Sequence, residues 1–314
     1  MKYDTKHNPI YGEEEALVDG VTVITARNIS AYTFSGTRTY LIGEKSLAII
    51  DPGPALGEHY NAIINAIGTK VVSHIFLTHT HADHCDLAVK LALKVNASIY
   101  LFGEKSETTS VLLSRIINKT KNGAAIKLKN NQIRIKKLVQ GQKICSDNWC
   151  LEVIHTPGHH FDHICLALKN QNIIFSGDHV MGWSSTMISL PYGNMRKYIN
   201  SLKLLLDRPE KTFFPGHGKP IENALDYTRQ QLDHKLIREN QILDLIYNEA
   251  NDAKSLVTLV YENMNQALFN AAEKNIYAHL MALKEAGKVV TADPTTINSK
   301  FAYNRKEKVS HVSN

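Results

Sequence analysis

The run Thr78-His79-Thr80-His81-Ala82-Asp83-His84 decides how the rest of this 314-residue chain is read. Three imidazoles and one carboxylate fall between positions 79 and 84, a density of metal-competent groups that solvated loop histidines do not reach. The apolar stretch at 71–77 ahead of the run reads as a strand. Residues two apart on extended backbone share a side, so His79 and His81 can grip one ion together. From Ala82 onward Ala88, Leu91, Ala92 and Val95 recur at helical spacing, which puts Asp83 and His84 on a first helical turn, facing a second position.

Two ions need more ligands than this run supplies, and three later clusters offer them. His155-Thr156-Pro157-Gly158-His159-His160 follows a predicted strand, Ser176-Gly177-Asp178-His179 ends another, and Gly216-His217-Gly218 follows a third. Each lies where a strand gives way to a loop, the place where α/β proteins build sites. His155 and His163 read as hydrogen-bonded scaffold residues.

Around these clusters the pattern alternates. Strands are expected at 21–25, 39–42 and 47–50, the last ending at the turn Asp51-Pro52-Gly53, with a helix at 57–67 and a strand at 97–102. A hairpin is expected at 125–138, turning at Asn130-Asn131 and pairing Leu128 with Ile133, Lys127 with Arg134 and Ile126 with Ile135. A short helix is expected at 111–117, strands at 150–154, 164–168 and 173–175, a helix at 195–206 and a strand at 212–214. This is a mixed α/β order. From about 223 the pattern is helical: Leu232, Leu236, Leu243 and Ile246 make one stripe, and 256–261 and 272–283 make two more helices. Short strands at 289–290 and 301–303 complete the outline of a winged helix, and the domain boundary is placed between 228 and 229.

Charge adds a second layer. The net charge is +6, and residues 226–314 hold 11 basic and 11 acidic residues, so the whole excess lies in the first 225. Residues 114–143 carry nine Lys and Arg and no acid, a candidate surface for a polyanion. No apolar run approaches 18 residues and the N-terminus is polar, so neither a membrane span nor a signal peptide is expected and the protein is expected to be cytoplasmic. The four cysteines lack Cys-x-x-Cys spacing and are expected to be reduced.

The four clusters in this order, with Asp51 ahead of them, resemble the metallo-beta-lactamase superfamily over residues 20–220. The resemblance implies a four-layer αβ/βα sandwich followed by the small winged-helix domain. It implies that His79, His81 and His159 hold one divalent ion, that Asp83, His84 and His217 hold another, that Asp178 bridges them and that Asp51 supports the ligands from behind. Zinc suits imidazole-rich donors best, with iron and manganese as alternatives. His81 stands where the flavodiiron oxygen reductases carry Glu, which implies hydrolysis instead of redox chemistry. Two ions sharing a water would supply both a hydroxide nucleophile near neutral pH and a Lewis acid, with Asp83 orienting the water and afterwards taking part in protonating the leaving group.

The tail, with 177–184 and Pro191-Tyr192-Gly193, is similar to the beta-lactamase-like protein 2 group, whose characterised members include a single-strand endoribonuclease. The expected substrate is therefore single-stranded RNA. Lys127, Arg134 and Lys136 would track phosphates, and Trp183, Tyr192 and His160 would touch the substrate. The alternative is a thioester or other ester or lactone, as in glyoxalase II. A winged-helix nucleic-acid-binding protein with a vestigial metal domain is a third reading, opposed by the full set of seven ligands. The balanced charge of residues 229–314 is poor for duplex DNA, so the tail is expected to be a wall of the cleft or a homodimer contact.

Overall fold

The central strands are runs of β-branched and other apolar residues buried on both faces. The computed structural model describes residues 3–103, 133–261, 266–292 and 296–305. The first sheet opens with β1 (Glu14–Val18), β2 (Val21–Thr25), β3 (Arg38–Ile42) and β4 (Ser46–Ile50), joined antiparallel in that order. Helix α1 (Gly57–Ile67) then crosses to β5 (Val71–Phe76), α2 (Ala82–Cys85) and α3 (Ala88–Val95) cross to β6 (Ser98–Phe102), and β7 (Ile135–Leu138) closes the sheet. From β4 to β7 the pairing is parallel.

The second sheet runs β8 (Lys143–Cys145), β9 (Cys150–His155), β10 (Ile164–Leu168) and β11 (Ile173–Gly177), again antiparallel. Helix α4 (Met195–Leu206) leads to β12 (Thr212–Pro215), which pairs parallel with β11. The Asn194 side chain caps α4 by accepting from the Lys197 backbone N–H.

Three cores hold the four layers. Ile49, Ile75, Leu91 and Ile99 join α1 and α3 to the outer face of the first sheet. Tyr40, Phe76, Leu166, Phe175 and Phe214 fill the space between the sheets, where each such side chain contributes about 1.5–3 kcal/mol by leaving water. Ile174, Tyr198, Leu202 and Phe213 seat α4 on the second sheet. The fold is the metallo-beta-lactamase sandwich expected from the motifs, with a winged helix behind it.

That last domain is built from α5 (Ala224–Ile246), α6 (Ala253–Val260), α7 (Phe269–Glu285) and the ribbon β13 (Val289–Val290) with β14 (Ala302–Tyr303). Its own core includes Ile242, Leu256, Ile276, Leu280 and Phe301. Helix α5 belongs to two cores, since Leu232 packs with α4 while Ile242 and Ile246 pack with α6 and α7.

Several expectations need correction. The helix after Ala82 is two helices, interrupted at Asp86 and Leu87. On α5 Leu232 and Ile246 of the expected stripe are buried and Leu243 packs against the core, but Leu236 is 38% exposed, and Gln231 and Lys235 face inward with them. Cys145 and Cys150 face each other across β8 and β9 and are disulfide-bonded, whereas Cys85 and Cys165 are free and buried. The turn and first strand of the 125–138 hairpin, Lys127 with them, and the helix at 111–117 lie outside the described residues. The described end forms β7, with Ile133 and Ile135 packed on the core and β6 as its parallel partner. No described helix is long and apolar enough to cross a membrane.

Candidate metal centre

The loops that leave β4, β5, β9, β11 and β12 converge at one edge of the two sheets, and they bring all seven predicted ligands together. Two groups result, His79 with His81, His159 and Asp178, and Asp83 with His84 and His217, the donor atoms of each group lying within 4.8 Å of one another. In the first, His79 presents Nε2 and His81 presents Nδ1, 2.8 Å apart. His159 Nε2 lies 2.9 Å from the same His81 nitrogen.

The second group is organised by charge. His84 Nε2 lies 3.4 Å from Asp83 Oδ2 and 3.4 Å from Asp178 Oδ1. His217 Nε2 lies 3.3 Å and 3.4 Å from the same two oxygens. Asp178 Oδ2 meanwhile faces His159 Nε2 at 3.6 Å, so its carboxylate spans the two groups.

These residues fit metal ions on evidence internal to the site. His84 Nε2, His217 Nε2 and Asp178 Oδ1 are buried and make no hydrogen bond. They have charge contacts at 3.3–3.4 Å but no well-formed hydrogen bond, and three such buried atoms aimed at one point are what a cation would satisfy.

The ligands are held from behind by the chain's own hydrogen bonds, which fix ring orientation and tautomer. Asp51 Oδ2 pairs with His84 Nδ1 at 2.8 Å. The same carboxylate accepts from the Thr78 backbone N–H at 2.8 Å and from the Thr78 hydroxyl at 2.7 Å. Asp51 thus ties the end of β5 to the first turn of α2. His159 Nδ1 donates to the Met187 carbonyl at 2.8 Å and His217 Nδ1 to the Gly36 carbonyl at 3.2 Å. Gly216 is required by space: a Cβ there would stand 2.5 Å from Asp178 Oδ1 and 2.7 Å from His84 Cε1.

Protonation divides the site in two. Burial, and then the neighbouring imidazoles, hold His79 and His81 well below the usual histidine range, so both are neutral donors. Burial also opposes charge on His217, yet Asp178 and Asp83 prevail and lift it to about 9. His84 is raised in the same way, burial being overcome by Asp83, Asp178 and Asp51. Burial works against ionisation of Asp83 as well, but His84 and His217 hold its carboxyl far below the usual carboxylate range.

The residues expected at the substrate are scattered. Trp183 borders a cavity of about 1030 Å³ that opens onto His81, Asp83, His159 and Asp178. Its ring stacks on Phe34 with centroids 5.0 Å apart. His160 does not border that cavity: it is fully buried, its Nδ1 is hydrogen-bonded to Asp162, and its ring lies 4.8 Å from His81. Tyr192 is 47% exposed and 5.2 Å from the His160 ring. Arg134 donates to the Asn96 carbonyl at 2.6 Å, at the start of β6 and away from the loop that carries the histidines. Lys136 lies over Tyr100.

Sequence reasoning missed Asp162, which holds Thr80 at 2.8 Å as well as His160. An acid two residues after a His-His pair was the available signal. Phe34, Lys235 and Arg238, which border the cavity, carry no local signal. The scaffold histidines behave as read. His155 stacks on Phe102. His163 Nδ1 shares a hydrogen bond with the Thr156 hydroxyl, and its Nε2 accepts from the Asp178 backbone N–H.

Comparison with known proteins gives the family. The metallo-beta-lactamase superfamily model matches residues 32–217, and the chain belongs to that superfamily, whose members are in general hydrolases. The beta-lactamase associated winged helix domain matches residues 253–295. Within the superfamily the chain is similar to the Beta-lactamase-like protein 2 homolog of Drosophila melanogaster, 30% identical over 87% of this chain and 93% of that one. It is also similar to the atrochrysone carboxyl ACP thioesterase of Aspergillus terreus, 25% identical over 79% of this chain and 70% of that one. A beta-lactamase domain protein from Burkholderia ambifaria shares the fold with a TM-score of 0.76 at 18% identity, over 95% of each chain.

Proposed function

We propose that this protein is a dinuclear metallohydrolase that cleaves an acyl substrate, a thioester first and other esters second. The observation that carries the reading is the cavity beside the ligands, bordered by Phe34, Met181, Trp183, Met187 and Leu268. Apolar walls next to a hydrolytic edge suit an acyl chain, which gains by leaving water. The similarity to a protein named as an acyl-carrier thioesterase points the same way.

His79, His81 and His159 would hold one ion, Asp83, His84 and His217 the other, with Asp178 between them; zinc best matches so many imidazoles, and iron or manganese would also be accepted. Two such ions, when bound, supply an acidified water and polarise a carbonyl. The chain does the rest. Asp83 is 28% exposed and faces both the ligand cluster and the cavity, so its ionised carboxylate can orient a water by accepting its hydrogen bond. It is too acidic to be a strong proton donor. A thiol of ordinary pKa, about 8.5, needs little help to leave as the thiolate, whereas the alkoxide released from RNA needs a good acid.

Cleavage of single-stranded RNA is the second reading, supported by the stacked Phe34 and Trp183 rings as a platform for a base beside the ligands. Zinc-loaded protein offered an acyl thioester and single-stranded RNA side by side, with chelated protein as control, tests both. Thioester turnover that is lost on chelation is expected. RNA cleavage without thioester turnover would reverse the order.

A further inference from the structure

The cavity that opens onto the metal ligands is also bordered by His234, Lys235 and Arg238 of α5 and by His279 of α7. Lys235 and His279 are each only 2% exposed. Lys235 Nζ donates to the Thr186 carbonyl at 2.9 Å and lies 5.5 Å from the centre of the Tyr198 ring. The Arg238 guanidinium lies 4.1 Å over Tyr261 and donates to the Val260 carbonyl at 3.4 Å, while its Nε is buried without a partner. The Nδ1 atoms of His234 and His279 are also buried without partners.

Among the described residues the carboxylates bordering the cavity are Asp83 and Asp178, both in the ligand cluster. Among the described residues the permanent cation Arg238 and the amine of Lys235 therefore share one wall with no acid bordering it. Burial, and next the Arg238 charge, push Lys235 down to about 7. Burial, then Lys235, Arg238 and His234, hold His279 well below the usual range. A cationic wall that only filled space would be better built from apolar residues, because buried charges without counter-charges destabilise a fold. Arg238 and Lys235 are donors for an incoming anion instead, joined by the imidazoles in the tautomer that carries the proton on Nδ1.

Resting on the acyl-substrate reading above, we propose that His234, Lys235, Arg238 and His279 form a subsite for an anionic group on the substrate, a carboxylate or a phosphate, remote from the bond that is cleaved. The winged helix thereby sets which acyl compounds are taken, while the sandwich edge cleaves them. Apolar walls between the two ends accommodate the part of the substrate that joins the anion to the reacting carbonyl.

Three thioesters of matched length, ending in a carboxylate, a phosphate or a neutral amide, test this on zinc-loaded full-length protein. Their non-hydrolysable thioether counterparts are titrated by calorimetry alongside. Wild type is expected to favour an anionic member by about tenfold or more in kcat/KM and in thioether Kd, the scale of one hydrogen bond to a charged group. Whichever of the carboxylate or phosphate is favoured identifies the anion.

Arg238→Gln should erase that preference through KM, and Lys203→Gln, an exposed lysine on α4, should preserve it. If buried Lys235→Met does not fold, Arg238→Gln alone decides. Equal thioether binding across the three ends in wild type, or a preference that survives Arg238→Gln, would overturn the subsite. A charge preference in thioether binding with no thioester turnover would keep the subsite and sink the acyl-substrate reading.

Discussion

The two halves of the His/Asp ligand cluster share a carboxylate and differ in the state of their histidines. In the half made by His79, His81 and His159, burial and mutual repulsion keep the rings neutral. In the other, Asp83, Asp178 and Asp51 surround His84 and His217 and favour their protonated forms against burial. One half is a ready receptor. The other, without metal, has protons standing where a cation would, so filling it means releasing them.

Removing the shared member has the largest expected effect. Asp178→Ala takes a ligand from both halves, so metal content should drop from about two ions per chain to one or fewer, with turnover falling to background. Elemental analysis that still finds two ions would mean the halves do not depend on this carboxylate.

Asp51→Ala separates the halves. It removes the acceptor behind His84 directly and reaches the first half only through Thr78, whose hydroxyl contacts His79 Nδ1 at 3.1 Å, leaving the His81 and His159 contacts in place. The second half should lose roughly 10–100-fold in metal affinity, measured by competition with a chelator of known strength. An equal loss in both halves would show that Asp51 supports the whole edge.

A pH series sharpens the contrast in the metal-free protein. His217 is raised from its ordinary 6.5 to about 9. A raised folded-state value stabilises the fold fully below pH 6.5, and that contribution is lost as pH climbs through about 9. Unfolding midpoints of the chelated protein should fall over this interval by the equivalent of up to roughly 3 kcal/mol, whereas the metal-loaded protein should show little change. A flat profile for the chelated form would contradict the charged state of this half.

The smallest effect is expected at His160→Ala. The ring is buried against His81 and bonded to Asp162, so turnover should fall by no more than about tenfold, with metal content unchanged. A loss as complete as that of Asp178→Ala would place His160 among the ligands.

How much of this was legible depends on how far apart the cooperating residues lie in the chain. His79, His81, Asp83 and His84 sit at one strand-to-helix junction, where strand and helix geometry fix their directions, and the pattern was readable residue by residue. Phe34, Lys235 and Arg238 come to one cavity only after two sheets and a helical domain have packed, and nothing local to them announces it, whereas Trp183, close behind the Gly177-Asp178 motif, was expected at the substrate and does border that cavity. Helix α5 misled for a related reason: Leu236 completes an apolar repeat, but Gln231 and Lys235 occupy the inward side. Gln231 bonds the Tyr198 hydroxyl and the Met181 carbonyl there, and Lys235 the Thr186 carbonyl. Strand β1, Glu-Glu-Ala-Leu-Val, is mostly exposed and is a strand because β2 offers it an edge.

Because one end of α5 is packed with the sandwich and the other with the winged helix, the tail is not a detachable module. A recombination event or an engineered fusion that exchanged residues 229–314 for another helical tail would carry off His234, Lys235 and Arg238 and a wall of the cavity, yet leave all seven ligands untouched. On the subsite proposed above, such an exchange would keep the chemistry of the sandwich edge and change which substrates reach it.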